Sequence, residues 1–254
     1  MSDTTPMIPD TEARLAALAQ QHRSAASLGM QVLNLIGAQA GNLLEKLPDR
    51  AKDQLEEATG RALETALGLA GKSRGMVPDQ QDWLTTAMAT AMGAAGGAGG
   101  LPSALAELPV TVTVLLRAIQ AIAVKHGFDP DRPEIARECL AVFANAGPLE
   151  ADDSAELSFL AARVTLTGAT VQGLIARVAP RLATVLGQKL AAQAVPIIGA
   201  AAGAATNYAY TRYYQQMAHV HFGLMALARD TGQDRDSLNL ALRDRLLNKP
   251  LKRS

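Results

Sequence analysis

Two histidines, one cysteine and a row of cations are the residues of this chain best suited to chemistry, and their spacing decides what each can do. His219 and His221 stand two positions apart. On a helix such positions point about 200° apart, so the pair cannot close on one metal ion unless the helix unwinds. His22 and His126 are isolated, Cys139 is the only cysteine, and neither HExxH nor CxxC occurs. No metal site is expected, and a zinc peptidase of the usual helix-borne kind is excluded. No strand-turn-helix setting for a GxSxG elbow is expected, which argues likewise against a serine hydrolase. Ala66-x4-Gly71-Lys72-Ser73 approximates a phosphate-binding loop, but Ala replaces its first glycine and it follows a helical pattern where a strand is needed. No catalytic residue and no cofactor are assigned.

The cations say more. Residues 157–228 hold no Asp or Glu, yet Arg163, Arg177, Arg181, Lys189 and Arg212 punctuate them. Between Lys189 and Arg212 no residue is charged, and Gly199 and Gly203 frame a run of alanines. Small residues of this kind let another helix backbone approach closely. Gly96, Gly97, Gly99 and Gly100 make a second such site. A small-residue hairpin framed by positive charge suggests contact with anionic groups, phospholipid headgroups first among them. Arg177 and Arg181 are four apart, but Pro180 lies between them, so a shared face is not assured. Asn207, Thr211 and Gln215 share one helical face, with Tyr208 and Arg212 alongside. That stripe either lines a polar cleft or forms an interhelical or solvated face.

Helices must position these groups. Aromatics are 4% of the chain while Ala and Gly abound, so close backbone packing replaces bulky side chains. Ala is the best helix former and β-branched runs are rare. The expected fold is all-α, a multi-helix bundle with Gly/Ala-rich helical hairpins packed in its core. Residues 1–10 read as disordered, 11–74 as an amphipathic helical hairpin broken at Pro48, 79–248 as a larger helical domain and 249–254 as a basic tail. Within the larger domain the expected helices are 79–92, 103–126 through Pro109, 133–146, 157–178, 181–194, 200–231 and 234–247. Asp153 and Glu156 form a capping-box pattern before the fourth of these. Cys139 sits on the apolar face of the third and reads as a buried thiol.

Formal net charge is zero and the pI is near 6.9, which argues against nucleic-acid binding. The charge is unevenly placed. Residues 125–163 carry eight acids against four bases, and residues 212–254 eight bases against four acids. Such a chain can orient on a charged surface although its total is neutral. Two windows, 83–106 and 190–211, are long and uncharged, but both are built of weakly hydrophobic residues and contain proline. With a mean hydropathy of +0.07, peripheral rather than spanning contact is expected. MSDTTPMIPDTEARL lacks a basic and apolar leader, so the cytoplasm is the expected compartment.

The runs Ala179-Pro180-Arg181-Leu182, Gly187-Gln188-Lys189-Leu190 and Val195-Pro196-Ile197-Ile198-Gly199-Ala200, then Gly203-Ala204, Asn207-Tyr208 and His221-Phe222, resemble the EcsC family of bacterial proteins. Gly96-Gly97-Ala98-Gly99-Gly100-Leu101-Pro102, Leu108-Pro109 and Lys125-His126-Gly127-Phe128-Asp129 add to the likeness, which spans residues 82–231. The resemblance implies a helical bacterial protein named after a component encoded beside an ABC transporter. The cation pattern makes anionic phospholipid one expected partner and a membrane protein the other, and the oligomeric state stays open. A protease label carried by some relatives finds no support in these residues.

Overall fold

The computed structural model describes residues 10–45, 49–73, 100–145, 170–193 and 199–247. Among these residues the chain forms α1 (Thr11–Glu45), α2 (Asp49–Ser73), α3 (Gly100–Lys125), α4 (Pro133–Asn145), α5 (Val171–Gln193), α6 (Gly199–Thr231) and α7 (Arg235–Leu247), with no strand. The fold is all-α, a helical bundle. Arg163, Gly96, Gly97, Gly99, the helix expected at 79–92, the 153–156 capping box and the basic tail lie outside the described residues. Arg181 and Lys189 fall within α5 and Gly203 within α6, with the placement of their side chains likewise outside the description.

Local chemistry explains most of the boundaries. Asp10 Oδ1 accepts from the Ala13 amide at 3.1 Å and opens α1. Asp234 Oδ2 does the same for Ser237 at 2.9 Å and opens α7. Each satisfies an amide that the helix itself leaves unpaired. Pro133 begins α4, where its missing N–H costs nothing. At the end of α3 the Phe128 amide reaches back to Ala123 O at 3.0 Å and the Gly127 amide to Val124 O at 2.8 Å. Gly127 sits at φ 79° to allow this closure, and Gly232 at φ 67° follows α6 in the same way.

One expected boundary moves. A break at Pro180 was the sequence expectation, yet α5 runs unbroken through it, from Val171 to Gln193. It starts after Thr170, whose Oγ1 accepts from the Gly173 amide at 3.1 Å. Proline removes one backbone bond, but Val178, Ala179, Leu182 and Ala183 are buried on both sides of it. Tertiary packing of that face outweighs the local loss.

The centre of the bundle is α6, which lies against α1, α3, α4, α5 and α7. Residues 207–227 of α6 are buried on nearly every side, from Tyr210, Tyr213 and Tyr214 to Met217, Phe222, Leu224 and Leu227. A helix apolar all round belongs inside a bundle. All four tyrosines of the chain are on it, and Tyr214 meets Phe143 of α4 with ring centres 5.0 Å apart. Each such fully buried side chain stabilises the fold by roughly 1.5–3 kcal/mol. The most extensive neighbour of α6 is α1, while α2 packs on α3 and α5. Helices α1 and α2, read from sequence as one hairpin, therefore make their principal contacts with other partners. The approach of α1 is close at Gly223, where an added Cβ would stand 2.6 Å from Leu18 Cδ2. No helix of the described residues is long and apolar enough to cross a membrane.

Candidate functional site

Helix α6 carries two polar sites of opposite character. Toward its C-terminal end, His221 is buried and its Nε2–H donates to Glu138 Oε2 of α4 at 2.7 Å. Both Glu138 oxygens also accept from Arg235, at 2.6 and 2.9 Å, so the carboxylate grips the guanidinium with a two-pronged bond. Arg235 opens α7, a poor place for a cation because the amide end of a helix is itself positive. Glu138 supplies the missing counter-charge. Burial would raise the Glu138 carboxyl, but the His221 hydrogen bond and charge, with those of Arg235, outweigh it and hold the group near 2.

His219 faces elsewhere, as its two-residue offset from His221 requires. Its Nδ1 lies 3.1 Å from His126 Nε2 at the end of α3. Arg229 covers that end, donating to His126 O at 3.1 Å and stacking 5.0 Å from the centre of the Phe128 ring. Burial first, then the charges of His219, Arg14, Arg229 and Lys125, depress His126 to about 4. His22, on the face of α1 turned inward, is lowered to about 4 by burial and then by neighbouring Arg23. Cys139 is fully buried in the core. Among the described residues no three metal-ligating side chains come together.

The second site is open. Between α1 and α6 runs a groove of about 760 Å³, lined on α1 by Gln20, Gln21, Arg23, Ser24 and Ser27 and on α6 by Arg212 and Gln216. On α1 the stripe follows helical spacing, which turns these groups to one side. Gln21 Nε2 donates to Gln216 Oε1 at 3.0 Å and ties the two walls together. Arg212 Nη1 reaches Gln215 Oε1 at 3.5 Å, and Arg23 Nη2 donates to the Arg245 carbonyl at 2.9 Å. Both acceptors are uncharged. No carboxylate is among the described residues that line the groove. Asp244 belongs to a neighbouring cavity of about 420 Å³ between α1 and α7, at whose rim Arg23 also stands.

The residues expected from sequence therefore divide. Arg212 lines the groove, and Arg177 is exposed on α5. Asn207, Thr211 and Gln215 are buried within the bundle, whereas Tyr208 is 49% exposed and stands apart from them. The polar stripe is thus an interior face rather than the wall of an open cleft, and the open cleft begins one step round the helix at Arg212 and Gln216. Gly100 and Gly199 are the first residues of α3 and α6. Arg23, Gln20, Gln21, Glu138 and Arg235 are additions that sequence reasoning passed over. The one local signal was Arg235, a cation placed against the helix dipole.

A model of the EcsC protein family matches residues 13–225, a segment that takes in α1 and α2 and stops before α7. No curated protein and no solved structure matches the chain.

Proposed function

We propose, from the premise that the chain belongs to the EcsC protein family, that it is a non-enzymatic protein associated peripherally with the cytoplasmic face of the inner membrane. Its anchor is the α1–α6 groove, which seats an anionic phospholipid headgroup between Arg23 and Arg212. One observation carries this reading: two guanidinium groups share a groove whose described lining holds no carboxylate, and their hydrogen-bond acceptors are neutral. Like charges held near one another favour an anion from outside, and guanidinium matches phosphate with two parallel bonds. Each basic residue near an anionic surface contributes about 1 kcal/mol, so exposed Arg177 adds to the attraction. Arg163, Arg181 and Lys189 extend the same proposal. The chemically equipped residues elsewhere serve the fold: Glu138 is neutralised by Arg235, and His221 is buried.

Cosedimentation tests it. Wild-type protein pellets with anionic vesicles, not with neutral ones, and less as salt rises; an Arg23→Ala/Arg212→Ala variant loses most of this. Equal pelleting with both vesicle types, or none with either, removes the reading.

A second reading, an accessory module of a membrane transporter or envelope complex, draws on α7. Leu240 and Leu247 are exposed there at a seven-residue interval, which places both on one face. A membrane-protein partner retained in detergent at high salt, and lost in a Leu240→Ser/Leu247→Ser variant, would favour this reading.

A further inference from the structure

The proposed headgroup site is lined by more than cations, and the additional groups carry information about its ligand. We infer that the α1–α6 groove selects a polyol phosphate, a phosphate ester whose alcohol bears free hydroxyls, over anions of equal charge that lack them. The inference rests on the anionic-headgroup reading above.

Gln20 and Ser24 lie one turn apart on α1, with Gln21 beside Gln20 and facing Gln216 of α6. A carboxamide offers both donors and an acceptor, and so does a hydroxyl, which makes the two natural partners. A bare phosphate is chiefly an acceptor with at most one O–H to give, so it engages the arginines and leaves most of the amide oxygens unused. The ammonium of an amino-alcohol headgroup needs acceptors near no cation, whereas here Arg23 and Arg212 flank the site. The Gln21–Gln216 bond at 3.0 Å uses one donor and one acceptor and fixes both amides across the groove. Gln21 keeps its oxygen and one N–H, and Gln216 its whole NH2 group, for a ligand. The groove is broad and open, about 760 Å³, with room for a headgroup larger than a phosphate group alone. Arrangement and size together favour phosphate held between the guanidiniums and hydroxyls laid along the amides.

The experiment uses the full chain and vesicles of phosphatidylcholine carrying, at matched surface charge, phosphatidylglycerol, phosphatidylserine or phosphatidic acid. Phosphatidylglycerol is expected to bind about five- to tenfold more tightly than the other two, the equivalent of one or two added neutral hydrogen bonds. Gln20→Leu/Gln216→Leu should erase that preference and leave the charge-driven binding in place. Soluble glycerophosphoglycerol should displace the protein from phosphatidylglycerol vesicles, which distinguishes recognition of the headgroup from recognition of the bilayer. Equal affinity for the three anionic lipids, or no competition by the soluble headgroup, overturns the polyol inference while leaving anionic binding intact. Failure to bind any of the three overturns both.

Discussion

Near His221 the guanidinium of Arg235 is held by both oxygens of Glu138, whereas earlier on the same helix Arg212 reaches an amide oxygen at 3.5 Å and lines an open groove with Arg23. The contrast is one of solvation. A cation drawn into the bundle loses water and must find a counter-charge within the chain, or the fold pays several kcal/mol. A cation left at a groove keeps water and needs no internal partner. The first arrangement turns charge into a tie between α4, α6 and α7. The second leaves charge available for something outside. Substitutions at the two sites should accordingly change different observables.

The largest effect is expected at the closed site. Glu138→Ala leaves Arg235 and His221 without their shared acceptor and should lower unfolding free energy by about 2–3 kcal/mol in urea titrations. Replacing the pair together, Glu138→Leu with Arg235→Met, should recover much of that loss because nothing charged then stays behind. A loss below about 1 kcal/mol for the single variant would show that water already solvates the cluster, and the contrast would collapse.

Acid sharpens the same distinction. His22 and His126 are each held near 4, below their ordinary 6.5, so the unfolded chain takes up protons before the folded one does. Their neutral forms favour the fold fully above pH 6.5, and that contribution is lost as pH falls from 6.5 to 4. For His22 the loss is about 3 kcal/mol, with a smaller share from half-exposed His126. Glu138, held near 2 rather than 4.5, adds a further loss only as pH falls from 4.5 towards 2. Urea midpoints measured from pH 7.5 to 4 should drop, and a His22→Leu variant should flatten most of that slope. A flat wild-type profile would mean that the histidines are solvated.

Gly223 tests the wall that both sites share. Alanine there gains about 1 kcal/mol of helix propensity, but its Cβ would press on Leu18 Cδ2, an overpacking that costs about 1–3 kcal/mol. A net destabilisation of about 1 kcal/mol follows, and Leu18→Ala in the same chain should relieve the clash. Stabilisation by Gly223→Ala alone would show that α1 packs less tightly than its contact with α6 implies.

Much of this was legible in the sequence because it is written in local terms. Asp234, Pro133, Gly127 and Gly232 set their boundaries through neighbours a few residues away, and the apolar, tyrosine-rich run of α6 announces a central helix. The family signature near Asn207 and His221 is equally local. Pro180 misled because its cost is local while the compensation comes from helices packed around Val178 and Leu182. Glu138 and its partners were invisible for a similar reason: they stand 83 and 97 positions apart, and no periodicity links them. Arg212 could be picked out from an acid-free stretch, but Arg23 acquires its role only when α1 lies along α6.

The smallest effect on stability should come from the arginines of the groove, and that is what makes them the decisive test of the contrast. Arg23 gives one exposed hydrogen bond to the Arg245 carbonyl, and Arg212 one long bond to an amide. Substitutions at such surface positions change stability by no more than about 0.5 kcal/mol. Removing two neighbouring like charges can even offset the lost bonds, so Arg23→Ala/Arg212→Ala should melt within a degree or two of wild type, the shift about 0.5 kcal/mol produces in a chain of this size. The same variant should lose most of its binding to anionic vesicles, since among the described residues that line the groove only these two carry positive charge. If instead it melts far lower, these arginines are structural like Arg235, and the groove is a seam of the fold rather than a seat for an anion.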